Sequence, residues 1–405
     1  MNDTVVIAGA GHAAGQFVAS LKQKKFGGEM ILLGEESHLP YQRPPLSKKF
    51  LAGELDAERL LFKPATFYDD ANISVRLGTR IDAIRCDDKT VRVSTGDEIA
   101  FDKLVLALGS RARKVPVPGT ELQGVYYLRD IRDVDQLRDD LEPGKRLVII
   151  GAGYIGLEVA AICRHLGLDV TVVEMADRVM SRVVSPQVSE FFQRIHEQHG
   201  VTFRLSTGLT ALKGSARVDT VEVDAGEPIA ADVVLIGAGI VPNCELAEQA
   251  GLAVDNGIVV DDRCITSDSN IYAIGDCTMH PNSIYRRQIR LESVHNALEQ
   301  AKTAASNICG IEDHYSQVPW FWSDQYDLKL QIAGLSQGYD DVVLRGDPAS
   351  GKFACFYLQN GTLIAVDAIN SPKEFMQSKR LIAANSKVAP DVLADPAGDL
   401  TPPRP

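Results

Sequence analysis

One phosphate-cradling pattern occurs twice in this chain, and no other feature limits its possible folds as strongly. The first copy reads Val5-Val6-Ile7-Ala8-Gly9-Ala10-Gly11-His12-Ala13-Ala14-Gly15 and the second Leu147-Val148-Ile149-Ile150-Gly151-Ala152-Gly153-Tyr154-Ile155-Gly156. In each, a β-branched run reads as a buried strand, a glycine turn follows, and an apolar-periodic helix opens with its first amides facing a pyrophosphate. The first glycine permits the tight turn, and the second lets backbone approach phosphate. A single copy is weak evidence, because a glycine turn between strand and helix serves packing equally well. Here each copy is followed by a second strand ending in an acid, Met30-Ile31-Leu32-Leu33-Gly34-Glu35 and Val170-Thr171-Val172-Val173-Glu174. An acid about 20 positions on accepts ribose hydroxyls. Ala14 stands where the third glycine usually falls, a position that sets how closely helix and strand approach. The chain is expected to hold two dinucleotides.

Composition narrows the setting. A net charge of −12 over 405 residues argues against a surface devoted to nucleic acid or anionic membrane. The first strand begins almost at the N-terminus, with no basic leader or cleavage site, so cytoplasmic residence is expected. The apolar stretch 147–163 contains Glu158 and the fingerprint glycines, which fits strand, turn and helix better than a membrane span. The seven cysteines (Cys86, Cys163, Cys244, Cys264, Cys277, Cys309, Cys355) are scattered without a C-x-x-C pair, so neither a disulfide scaffold nor structural zinc is expected. No metal site is expected among the eight histidines, and His196 and His199 read as a solvated pair on one helix face.

The organisation follows from the two fingerprints. A first unit spans 1–112 and ends in Leu104-Val105-Leu106-Ala107-Leu108-Gly109; the proline-rich segment Lys114-Val115-Pro116-Val117-Pro118-Gly119 reads as a linker. A second βαβ unit occupies 113–242. Its closing Gly237-Ala238-Gly239 runs into Ile240-Val241-Pro242-Asn243, where proline opposes a phosphate-binding helix start, so no third nucleotide site is counted. Residues 243–318 return to the first unit, making the second an insertion within it. From 319 a third, β-rich domain follows, and the tail after about Ala389, rich in Pro, Asp and Gly, is expected to be disordered.

Several stretches resemble a known family: Pro44-Pro45-Leu46-Ser47-Lys48, Gly153-Tyr154-Ile155-Gly156-Leu157-Glu158, Gly275-Asp276-Cys277, Glu292-Ser293-Val294-His295-Asn296-Ala297 and Trp320-Phe321-Trp322-Ser323-Asp324-Gln325-Tyr326. They are similar to NADH-dependent ferredoxin reductases of the FAD and pyridine-nucleotide oxidoreductase superfamily, of the putidaredoxin reductase and biphenyl dioxygenase reductase type. The resemblance runs nearly the whole length. It implies an α/β fold with two Rossmann-like dinucleotide-binding domains, for FAD and NADH, the second inserted into the first, plus a C-terminal α+β domain. On the FAD side it implies roles for Gly9, Gly11, Ala13, Ala14, Glu35, Arg43, Lys48, Ile81, Arg129, Asp276, Val294 and Trp322. On the NADH side it implies Gly151, Gly153, Ile155, Gly156, Glu174 and Arg182. Catalytic parts fall to Lys48 and Glu158, as an ion pair beside the flavin, and to Tyr154, as a gate that the nicotinamide displaces.

Flavin converts a two-electron hydride donor into a one-electron source, so positioning and not acid–base catalysis is the protein's task. A carboxylate at 174 favours NADH over a 2′-phosphorylated dinucleotide, although Arg178 and Arg182 follow shortly after. No cysteine occurs from 1 to 85, which disfavours a thiol relay, and Cys277 reads as filler of a small buried slot. The acceptor is therefore expected to be external; the family resemblance implies a 2Fe-2S ferredoxin serving a cytochrome monooxygenase or ring-hydroxylating dioxygenase, and Arg286, Arg287 and Arg290, with Lys373 and Lys379, are its expected docking patch. Two other readings are kept. One is a reductase of a small radical or quinone, similar to monodehydroascorbate reductase; the other is a flavoprotein scaffold, which would want a basic surface.

Overall fold

The computed structural model describes residues 3–69 and 72–400, which form two compact units. One comprises residues up to Arg43, Glu58–Arg111 and Val241–Pro319; the other comprises Pro44–Ala57, Ala112–Ile240 and the chain from Trp320.

The first unit is built on a five-stranded parallel sheet in the order Ile271–Ala273, Lys103–Leu106, Thr4–Ala8, Glu29–Leu33, Ile73–Arg76. Side chains of a strand alternate between faces, so a strand covered on both sides must be apolar throughout. Residues 5–8 of the strand Thr4–Ala8 obey this: Val5 and Ile7 enter one core with the helices His12–Gln23 and Val294–Ile308, while Val6 and Ala8 enter another. The two helices approach closely because Ala297, Ala301, Ala304 and Ala305 repeat at helical spacing against Ala13, Ala14 and Phe17. The opposite face is covered by an antiparallel sheet of Ile81–Arg85, Thr90–Val93 and Glu98–Ala100.

The second unit repeats that plan. Its parallel sheet runs Thr202–Arg204, Asp169–Val173, Arg146–Ile150, Val233–Ile236, Val125–Tyr126. The helix Tyr154–His165 follows Arg146–Ile150, and Leu209–Lys213, Thr220–Val223 and Ile229–Ala230 form a small antiparallel sheet over a core of Val148, Ile150, Val234 and Ile236. The segment 44–57 belongs here, with the Arg138 guanidinium 4.6 Å from the Phe50 ring centre and donating to the Phe50 carbonyl. A five-stranded antiparallel sheet completes the unit, ordered Trp320–Gln325, Leu328–Gly334, Thr362–Ile369, Lys352–Gln359, Asp341–Asp347, with helix Pro372–Ala383 packed on it.

The tail differs from the expected disorder. Pro390–Ala394 is helical, and Leu393 and Leu400 are buried. The cause is Arg345, a buried guanidinium that donates to the carbonyls of Val392, Leu393, Pro396 and Gly398 and pairs with Glu374 at 3.5 Å. Backbone acceptors with no helical or sheet partner are satisfied from one side chain, a signal that composition does not carry. Residues 401–405 of the expected tail lie outside the described residues. Arg345→Met should destabilise the protein by about 3 kcal/mol or more, since it strands Glu374 and several carbonyls. Thermal denaturation and limited proteolysis check this: cleavage within 390–400 should precede cleavage elsewhere.

Candidate active site

Both glycine loops have the same geometry. Gly9 (φ +109°) donates to the Leu33 carbonyl at 2.8 Å, and Gly151 (φ +105°) donates to the Val173 carbonyl at 2.7 Å. A Cβ would stand 2.3 Å from the Ala107 oxygen at Gly9 and 2.6 Å from the Gly237 oxygen at Gly151, so only glycine fits. Each helix then starts at a glycine N-cap, Gly11 or Gly153, with no side chain capping it, so the first-turn N–H groups point out of an open end. A Cβ built on Gly11 or Gly153 meets nothing within 4 Å. Uncapped donors facing open space suit the pyrophosphate of a dinucleotide, so the residues present fit FAD and NADH at the two loops.

Gly275 lies against Ala13, to which its added Cβ would come within 3.3 Å, and Asp276 accepts from Ser110 Oγ at 2.9 Å. Gln300 fixes this turn by accepting from the Gly275 amide at 2.7 Å. Val294 opens its helix behind the Ser293 cap, and Glu35 is exposed beyond the end of its strand. Arg43 pairs with Glu36 at 2.5 Å, a carboxylate that also accepts from Tyr41 at 2.6 Å, whereas Ile81 is buried in the apolar core beneath the sheet. Lys48, Arg129 and Trp322 belong to the second unit, where the Arg129 amide donates to Asp133.

Around the second loop, Glu174 does more than the sequence suggests. Its carboxylate accepts from the amides of Ala152 at 2.7 Å and Ala176 at 2.9 Å, bracing the loop while keeping lone pairs for a ribose. Arg178 is committed to the carbonyls of Val184 and Ser181, at 2.9 and 2.7 Å, and so is unsuited to a 2′-phosphate; Arg182 is exposed beside Gly239. Ile155 is exposed, and Gly156 passes so near Gly151 that its Cβ would meet that carbonyl oxygen at 2.2 Å.

The second unit also brings Lys48 and Glu158 together across 110 residues, Nζ to Oε2 at 2.6 Å. Glu158 is 4% exposed, and its carboxylate further accepts from Ser47 Oγ and Ser323 Oγ, each at 2.6 Å. Lys48 also donates to the Pro44 carbonyl at 3.1 Å. Neither serine was singled out from sequence, although both sit inside the stretches that carry the family resemblance. Beside them Tyr154 lies on Phe321, ring centres 4.6 Å apart, and burial pushes its phenol well above the ordinary range. Trp322 packs 5.5 Å from Trp320 on the same strand.

Two expectations change in detail. His196 is not solvated: it is 0% exposed, hydrogen-bonded to Gln325 at 2.9 Å and Tyr326 at 3.1 Å, while His199 is exposed and stacks on Tyr326. The core side of the helix Pro186–Gln198 claims His196 because polar partners wait there. Of the three arginines, Arg286 and Arg287 are exposed where Thr278–Asn282 turns back into Arg287–Ile289, whereas Arg290 is paired with Glu292 at 2.6 Å. In the second unit Lys379 lies 5.5 Å over Trp320, and Lys373 pairs loosely with Asp399.

All seven cysteines are free, and burial pushes the thiols of Cys163, Cys277 and Cys355 up to about 12. Burial raises Cys86, Cys244, Cys264 and Cys309 as well, so every cysteine is shifted toward its thiol form. Among the described residues no helix is long and apolar enough to cross a membrane, and no His, Cys, Asp and Glu cluster could hold a metal.

Residues 3–301 match the family model described as pyridine nucleotide-disulphide oxidoreductase. The chain belongs to that family. Residues 320–402 match a second model, reductase C-terminal, and family members use FAD and NAD(P)H. The chain is 44% identical to rhodocoxin reductase of Rhodococcus erythropolis, over 98% of this chain and 93% of that one. It is 42% identical to putidaredoxin reductase of Pseudomonas putida, over 97% and 95%. It superposes on the reductase of the covalent putidaredoxin reductase–putidaredoxin complex with TM-score 0.96 and 41% identity, covering 98% of this chain and 97% of that chain. Its close relatives are ferredoxin reductases, and the chain is an oxidoreductase of their kind with FAD and NADH domains and a C-terminal domain.

One buried acid near this site sets a pH dependence. Asp367 is 1% exposed; it accepts from the Tyr357 hydroxyl, whose oxygen accepts from the Ser185 amide at 2.9 Å. Burial pushes its carboxyl up to about 7 from 3.8, the Tyr357 bond opposing. A raised carboxyl favours the folded state below pH about 4 and loses that contribution as pH rises through 7, on the order of 4 kcal/mol in all. His196, lowered by burial to about 4, acts in the opposite sense, losing its contribution as pH falls through that value. Asp367→Asn leaves His196 untouched, so the difference in thermal midpoint between variant and parent should grow in the variant's favour from pH 5 to pH 8. A difference constant across that range would show Asp367 titrating normally.

Proposed function

We propose that this chain is an NADH-dependent ferredoxin reductase, carrying electrons from NADH through FAD to a 2Fe-2S ferredoxin that supplies a cytochrome monooxygenase or ring-hydroxylating dioxygenase. The observation that carries this reading is the duplicated glycine cradle in a chain whose cysteines are all shifted toward the thiol form. Two dinucleotides without a sulfur relay leave the acceptor to come from outside. When bound, FAD would supply the conversion of a paired-electron donor into a single-electron source.

The chain's own residues supply binding, orientation and charge. Amides opening His12–Gln23 hold the FAD pyrophosphate, with Gly9, Gly11, Ala13 and Ala14 shaping the cradle and Glu35 holding ribose. Amides opening Tyr154–His165 do the same for NADH, with Gly151, Gly153, Ile155 and Gly156, and Glu174 accepts from its ribose. Lys48, fixed by Glu158, would place positive charge where negative charge develops on the bound cofactor. Tyr154 closes the nicotinamide position until dinucleotide arrives. Arg43, Arg129, Asp276, Val294 and Trp322 are the further residues proposed for FAD and Arg182 for NADH, while Ile81, buried in the core, would support its sheet from beneath. Cytoplasmic residence, where NADH is available, goes with this reading, as does the division into FAD parts 1–112 and 243–318, an NADH part 113–242, and a C-terminal domain.

The test is NADH-driven reduction of a panel of purified 2Fe-2S ferredoxins beside ascorbate radical and quinones. A ferredoxin should exceed either small acceptor by about tenfold or more in kcat/KM; a quinone or the radical doing as well would favour the small-acceptor alternative. Replacing Arg286 and Arg287 by Glu should raise KM for ferredoxin about three- to tenfold at low salt, with NADH-driven dye reduction unchanged. Loss of both activities would give these arginines a structural role instead. Glu174→Ala should narrow the NADH to NADPH ratio of kcat/KM, and because the carboxylate also braces Ala152, KM for NADH should rise as well.

A further inference from the structure

A line of hydrogen bonds leads away from the Lys48–Glu158 pair into the second unit, and its donor directions are fixed by chemistry. Ser323 Oγ stands 2.6 Å from Glu158 Oε1. A carboxylate only accepts, so Ser323 commits its single proton there. Its oxygen must then receive from Gln325, whose Nε2 lies at 3.1 Å. That turns Gln325 Oε1 toward His196 Nε2 at 2.9 Å, so the imidazole carries its proton on Nε2. Nδ1 is left to accept from the Tyr326 hydroxyl at 3.1 Å. Ser323, Gln325 and His196 are all buried, so water cannot replace a missing member.

We propose that His196 is a positioning residue for the Lys48–Glu158 pair, acting through Gln325 and Ser323. This rests on the reading that the pair serves NADH-driven reduction. An amide shows similar shapes at its two ends, so nothing but its partners decides which end faces Ser323. With the Nε2 proton gone, Gln325 is free to turn over and present oxygen to Ser323. The serine proton then faces two acceptors, and Oε1 of Glu158 loses its fixed donor while Oε2 keeps Ser47 and Lys48. Glu158 would pivot, and Lys48 with it. Also near His196 are the Phe203 ring at 6.2 Å, which has no hydrogen-bond donor, and His199, which is exposed and stacked on Tyr326.

Two conservative changes separate this role from simple packing. Gln places its amide nitrogen near the position of His Nε2 and keeps the donor to Gln325; Asn places its polar end near Nδ1 and loses that donor. In FAD-loaded full-length protein, His196→Asn should lower kcat for NADH-driven dye reduction roughly five- to tenfold, the cost of about one misdirected hydrogen bond, with KM for NADH unchanged. His196→Gln should stay within about twofold of the parent. Gln325→Met should reproduce the His196→Asn loss, and the double variant should be no worse than either single one. Independently of turnover, ¹⁵N NMR of the imidazoles should find His196 neutral with its proton on Nε2 at pH 7. Equal loss in His196→Asn and His196→Gln, or a proton on Nδ1, overturns the proposal. Full turnover in both Lys48→Met and Glu158→Gln instead removes the underlying reading of the pair, leaving the NMR result to decide the hydrogen-bond directions alone.

Discussion

A carboxylate withdrawn from water must be surrounded by donors, and Glu158 draws its own from distant parts of the chain. Ser47 and Lys48 come from the short segment 44–57, and Ser323 comes from the first strand of the C-terminal sheet, 165 residues away. Neither segment is part of the parallel sheet that carries the second glycine loop. Removing one partner of such a pair leaves the other charge buried and uncompensated, which costs more than the intact pair contributes. The arrangement therefore gives the second unit a definite register among three stretches that apolar packing alone would fix less sharply.

The parallel between the units is one of backbone close approach. In both, the fingerprint glycine lies under a carbonyl from the end of a neighbouring strand, Ala107 in one and Gly237 in the other. The strand-and-glycine pattern at 232–239, which resembles a third nucleotide site superficially, has this architectural use: its carbonyl lies over Gly151. The third fingerprint position is less uniform. Gly156 is pressed against the Gly151 carbonyl, while the first unit accommodates Ala14 at the same place.

Local patterns carried most of the fold. Both glycine loops, the strands leading to Glu35 and Glu174, and the β-rich character of the C-terminal part follow from periodicity and turn chemistry that a single sequence displays. Long-range polar contacts were not visible there. His196 falls at helical spacing after the buried Val188 and Phe192, but an imidazole on such a face reads as solvated until the folded chain places Gln325 and Tyr326 opposite it. The tail at 390–400 has a disordered composition, yet Arg345, some fifty positions earlier, supplies its donors. Glu174 reads correctly as the acid after the strand, but its bonds to Ala152 and Ala176 depend on backbone geometry. Lys48 and Glu158 were paired by family resemblance, since no spacing rule joins residues so far apart.

The sheltered sulfur chemistry of the chain bears on its durability. A flavoprotein that handles single electrons works beside dioxygen, where peroxide is a natural by-product. Peroxide attacks thiolates far faster than thiols, and every cysteine whose acidity is shifted here is shifted toward the thiol form, Cys86, Cys244 and Cys309 included. Turnover in air should therefore leave the cysteine thiols largely unoxidised, so that ageing of such a catalyst would begin at exposed methionine thioethers such as Met175 and Met376.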